Sequence, residues 1–129
     1  MTKKEQKAAE KAAYVQRVRA ALKAAHDACH SAGVACIDGL PKDAQGLPSD
    51  GCGDAWVQVY TPSYQFRTTL QELGELERGH AGAWIISNFT RSLGTQSFQA
   101  NKAGAQAAYE VLRAQFPEEA NIYPHAYET

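Results

Sequence analysis

The segment His26-Asp27-Ala28-Cys29-His30 concentrates more chemistry than any other part of this 129-residue chain. Two histidines four residues apart share one face of a helix, the spacing at which two imidazoles can hold one metal ion. Cys36 and Cys52 downstream would complete a tetrahedral set, so the expected zinc ligands are His26, His30, Cys36 and Cys52. Such a site would pin the intervening loop to the helix. Against it, neither cysteine belongs to a close Cys-x-x-Cys pair, and Cys29 falls on an apolar stripe where a small buried thiol packs well. The alternative for all three cysteines is an ordinary reduced thiol, as expected of a chain read as lacking an export signal.

Other reactive arrangements are weaker. Nothing around the cysteines activates a thiol recognisably. Glu72, Glu75, Glu77, Glu118 and Glu119 read as surface carboxylates, whereas general acid or base work needs a carboxyl in a pocket. Asp38, Asp43 and Asp50 lack the alternate-position oxygens of a calcium loop. Gly51-Cys52-Gly53 precedes a strand instead of opening a helix, so it is no phosphate cradle. The expectation is a protein that is not an enzyme and carries no cofactor, zinc being the alternative.

The elements that would position these residues follow from periodicity. Val15, Val18, Leu22, Ala25 and Cys29 form one stripe of a long amphipathic helix, with Gly33 as its expected stop, giving a basic helix over 1–33. From 34 to 54 glycine, proline and aspartate dominate, which is loop chemistry; the segment echoes itself as Gly39-Leu40-Pro41-Lys42-Asp43 and Gly46-Leu47-Pro48-Ser49-Asp50. A sheet is expected over 55–90. Ala55 to Tyr60 alternates, Ser63 to Leu70 alternates less cleanly and competes with a helix opened by Thr61-Pro62, and Gly82 to Thr90 is the densest apolar and β-branched run, read as the inner strand. A second helix spans 97–116, with Ser97 as its cap and Pro117 as its end, and an aromatic tail runs over 117–129. The fold class expected is α+β: a single domain over 1–129 in αβββα order, a three-stranded antiparallel sheet with the long N-terminal and C-terminal helices packed on one face. The other face would be open to show Trp56, Tyr60 and Trp84.

That order resembles the order of double-stranded-RNA-binding domains over roughly Met1 to Phe116. The resemblance implies phosphate contacts from a lysine cluster opening the last helix, where this chain offers only Lys102. Charge is unevenly spread: Met1 to His30 carries seven basic and three acidic residues, the remainder six basic and eleven acidic. A nucleic-acid reading would therefore rest on Lys3, Lys4, Lys7, Lys11, Arg17 and Arg19.

The apolar share of 44% is ordinary for a folded domain, and no apolar run reaches membrane-spanning length, so the expected location is the cytoplasm. By elimination the expected function is protein binding without catalysis. The model is a compact inhibitor of bacterial, phage or plasmid type that docks an acidic surface on a basic, nucleic-acid-binding partner, with self-association also open. The residues expected to meet that partner are Asp38, Asp43, Asp50 and Asp54 of the acidic segment, Trp56, Tyr60 and Trp84 of the sheet, and Tyr123 and Tyr127 of the tail.

Overall fold

The structure, a computed structural model, describes residues 2–79 and 82–129. Its elements are α1 (Lys3–Gly39), β1 (Gly53–Tyr60), α2 (Tyr64–Glu72), β2 (Glu77–Arg78), β3 (Ala83–Ile86), α3 (Asn88–Arg91), α4 (Phe98–Gln115) and β4 (Ile122–Glu128). The class is α+β with long N-terminal and C-terminal helices and an antiparallel sheet. The sheet has four strands in the order β2-β3-β1-β4 instead of the expected three. Leaving α1 and the single-turn α3 aside, the connectivity β-α-β-β-α-β with every neighbour antiparallel is the split-βαβ, ferredoxin-like arrangement.

Three expectations give way for local reasons. The helix does not stop at Gly33 but runs to Gly39, because Gly33 is buried against Leu93 and its missing Cβ makes room for that side chain. The segment Ser63 to Leu70 is helical: the Ser63 hydroxyl accepts the Phe66 N–H at 3.2 Å, and Phe66, Thr69 and Leu70 share the buried face. The tail expected over 117–129 adds a fourth strand, since β4 pairs along β1, from Gly53 with Glu128 to Val59 with Ile122. Ser97 does cap α4, accepting from Ala100 N–H at 3.2 Å. Of the span expected to form the sheet, His80 and Ala81 lie outside the described residues.

The segment between α1 and β1 is folded on itself through its echo. Pro41 to Asp43 lies against Leu47 to Ser49, with Asp43 N–H on Leu47 O at 2.8 Å and Ser49 N–H on Pro41 O at 3.0 Å. Gly46 turns the chain at φ +78°, where a side chain would be strained. Lys42 donates to the carbonyls of Ile37 and Leu40, satisfying the end of α1.

One core lies between the sheet and the helices. Val57 and Val59 from β1, Ile86 from β3 and Ile122 from β4 meet Phe66, Leu112, Phe116 and the α1 stripe of Val18, Ala21, Ala25 and Cys29. Burial pushes the Cys29 thiol up to about 11, so it packs as a neutral hydrophobe. Arg17 clips the two long helices together: its guanidinium lies 4.5 Å from the Phe116 ring centre and makes a two-pronged bond to Glu118 at 2.9 and 3.0 Å. That hydrogen-bonded pairing lowers the Glu118 pKa. Its contribution to stability is therefore present above the ordinary carboxylate value of 4.5 and is lost as pH falls through the lowered folded value. Both partners are partly solvated, so the expected effect is small, below about 1 kcal/mol. The loss in melting temperature between pH 6 and pH 3 should be smaller in Arg17→Met than in the wild-type chain.

β4 is an edge strand, and its outer edge is blunted. Tyr60 N–H bonds Asn121 O and Thr129 N–H bonds Cys52 O, which fixes the phase of the ladder. Tyr123, His125 and Tyr127 thus turn their backbone groups toward β1, while Ile122, Pro124, Ala126 and Glu128 turn theirs outward. Pro124 has no N–H to offer there, which interrupts the row of donors a foreign strand would need. Replacing Pro124 with Val should raise aggregation on mild heating, measured by light scattering, without lowering the melting temperature.

Candidate recognition surface

Residues facing each other across an antiparallel ladder share a face, so the register decides what the sheet displays. On β1, Ala55, Val57 and Val59 are fully buried under the helices, while Asp54, Trp56, Gln58 and Tyr60 point the other way. Their partners on β4 and β3 join them: Tyr127 opposite Asp54, His125 opposite Trp56, and Tyr123 and Ile85 flanking Gln58. The result is an open sheet face with a continuous aromatic strip. Trp56 sits between His125, at 4.9 Å between ring centres and 31° tilt, and Tyr127, at 5.5 Å edge-on. Tyr60 and Tyr123 form a second edge-on pair at 6.2 Å. Tyr123 and Tyr127 remain 48% and 47% exposed, which is unusual for rings in a strand and leaves their faces available.

Polar groups hold this strip in place. The Tyr60 hydroxyl donates to Gln58 Oε1 at 2.6 Å, and Asp54 Oδ1 accepts the Ala55 N–H at 2.8 Å while the residue stays exposed. Glu77, opposite Ile85 on β2, is neutralised by Arg91, and that hydrogen bond lowers its pKa. Among the described strand residues of this face there is no lysine or arginine.

The structure brings together Asp54, Trp56, Tyr60, Tyr123 and Tyr127 of the expected partner-binding set, and adds His125. The alternation Tyr123-x-His125-x-Tyr127 was the signal for His125, readable only once the tail is a strand. Trp84 is not among them. It faces Val59 on the helix side and packs on the core, with the Arg78 guanidinium 4.5 Å over its ring. The acidic segment also dissolves as a unit. Asp43 Oδ1 accepts the N–H groups of Gln45 and Leu47 in its own turn, and Asp50 Oδ2 accepts Ser97 Oγ and Gln99 N–H at the start of α4. Asp38 is exposed near the end of α1. Glu119, read as a surface carboxylate, is buried and accepts the Ser63 N–H at 2.9 Å.

The zinc set is not assembled. His26 and His30 are exposed on α1, Cys36 is half-buried on the same helix because α1 runs past Gly33, and Cys52 is exposed beside Gln96. Among the described residues no three His, Cys, Asp or Glu side chains gather as metal ligands. Of the basic residues proposed for nucleic acid, Lys3, Lys4, Lys7, Lys11 and Arg19 are exposed along α1, whereas Arg17 is taken up by Glu118 and Gln115 O. The order αβββα that prompted the comparison with double-stranded-RNA-binding domains is replaced by the four-stranded topology above. A cleft of about 480 Å³ lies where β1 begins beside the α3–α4 connection and is lined by Cys52, Asp54, Thr90, Arg91, Gln96 and Asn101, among other residues.

Fold and surface together define an open-faced α+β domain with an aromatic display on the uncovered side of its sheet. Comparison with protein-family models, with curated proteins and with solved structures found no match for this chain. Among the described residues, no helix is long and apolar enough to cross a membrane.

Proposed function

We propose that this chain is a small protein-binding module acting by contact instead of turnover, and that its docking surface is the open sheet face. The observation that carries this reading is the strip of Trp56, Tyr60, Tyr123, His125 and Tyr127, which the register lines up on the side of the sheet away from the helices. Tyrosine and tryptophan give large contact areas at low entropic cost, and such residues dominate protein interfaces. The partner class is a protein with a basic surface. Ring faces attract ammonium and guanidinium groups, Asp54 adds a carboxylate at one end, and the strip has no cation of its own to repel them. Phosphate binding has little support on this face for the same reason. An inhibitor that covers the nucleic-acid groove of a basic protein would use such a surface.

The test is a titration of the full chain into a labelled arginine-rich peptide, a labelled acidic peptide of equal length and labelled single-stranded RNA, followed by fluorescence anisotropy of the label. The reading expects the arginine-rich peptide alone to bind, and a Trp56→Ser/Tyr123→Ser variant to lose at least about tenfold in affinity, the equivalent of 1.4 kcal/mol. Binding unchanged in that variant, or salt-sensitive binding of RNA in place of the peptide, would overturn it.

A further inference from the structure

The first turns of α1 are the chain's other unpartnered surface. Every residue from Thr2 to Ala13 is exposed, and the first residue of α1 to enter the body is Tyr14. This arm carries Lys3, Lys4, Lys7 and Lys11 against Glu5 and Glu10. Lys3, Lys7 and Lys11 are four residues apart and form one stripe, an arrangement in which each neighbour repels the next. Among the described residues it makes one loose ion pair with the body, Lys11 Nζ to Glu72 at 3.9 Å with both groups well solvated. Ala8, Ala9, Ala12 and Ala13 fall on the other sides of the arm, so the lysine stripe meets a neighbour through its ammonium groups and their aliphatic stems.

The open face has the complementary pattern. Its strands show rings and the exposed carboxylate of Asp54, and among the described strand residues of this face there is no lysine or arginine, the neighbouring Arg91 being paired with Glu77. The spacings are commensurate as well: four residues of helix advance about 6 Å, and two residues of strand advance about 6.7 Å. Three lysines on one side of the arm therefore keep step with Tyr123, His125 and Tyr127 along β4, each ammonium within reach of a ring or of Asp54. An arm of about eleven residues is roughly 16 Å long, shorter than the seven residues of β4, which span about 24 Å.

We propose that the α1 arm of a second copy of this chain docks on the open sheet face, with Lys3, Lys7 and Lys11 set over the Tyr123, His125 and Tyr127 row. The inference rests on the reading of that face as a docking surface. The contact is heterologous, arm to face, so every copy both offers and accepts one. A basic partner would then have to displace an arm, and self-association would hold the face covered until it did.

Sedimentation of the full chain at about 50 mM and 300 mM salt tests this, since exposed charge contacts weaken as the screening length shortens. The expected result is concentration-dependent association at low salt that is lost at high salt. Lys3→Gln/Lys7→Gln/Lys11→Gln, far from the core and still a good helix, should be monomeric, and so should Tyr123→Ser/Tyr127→Ser. Mixed together, the two variants should form a one-to-one complex, because each retains the half the other has lost. Monomers at both salts, association surviving in the lysine variant (face on face) or in the tyrosine variant (arm on arm), or a mixture that stays monomeric would each overturn the proposal. The proposed function fails separately: a monomeric chain that still binds the arginine-rich peptide through its face loses this inference and keeps that reading.

Discussion

Phe116→Ala should lower the unfolding free energy by about 3–5 kcal/mol, the range for deleting a buried phenylalanine without collapse of the site. Phe116 is fully buried at the C-terminal end of α4, and three side chains from two other helices converge on its ring. Phe66 of α2 lies 4.9 Å away between centroids, Tyr14 of α1 meets it edge-on at 6.4 Å, and Arg17 of α1 covers its face at 4.5 Å. Removing the ring would leave a void bounded by two other aromatics and would take away the surface on which the Arg17–Glu118 clip rests. Burial of Tyr14, with Glu119 adding to it, pushes that phenol up to about 12, so its hydroxyl stays neutral and adds no charge to the junction at neutral pH. Denaturant unfolding followed by circular dichroism would measure the loss. Phe116→Leu, which keeps most of the volume, should cost less than half as much, and equal losses would mean that ring packing is not what joins α1, α2 and α4.

This junction also shows what could be read from the residues in advance. Val18, Ala25 and Cys29 lie on the stripe that periodicity picks out for α1 and face the core as expected; Leu112 and Phe116, four apart in the span expected to form the second helix, face it too. Helical periodicity is local, so a single sequence carries it. Sheet membership is not local. β4 follows β1 by some sixty residues, and Pro124 within Ile122–Glu128 argues against a strand until the strand is known to be an edge. The aromatic face went partly unread for the same reason: Trp56, Tyr60, Tyr123 and Tyr127 could be named, but only the pairing of Trp56 with His125 and of Val59 with Trp84 tells which residues share a side. Ser63 to Leu70 is ambiguous in sequence because threonine and aromatic content favours a strand while a Thr61-Pro62 opening and the helical spacing of Phe66 and Leu70 favour a helix; the structure caps that helix with Ser63 instead of Thr61. Tertiary burial of that face decided it.

Glycines gave the most misleading signal, and one of them carries the second large effect. Gly33 reads as a helix stop, yet Gly33 and Gly104 are contact points of the same interface. A Cβ on Gly104 would lie 2.7 Å from Cys29 Sγ, 3.2 Å from Leu93 Cδ1 and 3.3 Å from Cys29 O, and one on Gly33 would lie 2.6 Å from Leu93 Cδ2. Leu93, just after α3, is therefore wedged where both long helices lack side chains, and α1 and α4 approach closely around it. A glycine inside a helix costs up to about 1 kcal/mol relative to alanine, so the close approach outweighs that cost here. Gly104→Val should destabilise by about 3 kcal/mol, the upper part of the range for overpacking a core. Because the shortest clash is with the Cys29 sulfur, adding Cys29→Ala should recover at least about 1 kcal/mol of the loss, a coupling expected only between residues in contact. The contact with Cys29 O is backbone and cannot yield, so recovery should stop short of complete. Strict additivity of the two substitutions in a double-mutant cycle would contradict this packing, and with it the placement of α1 against α4 that leaves the arm free and the opposite face of the sheet uncovered.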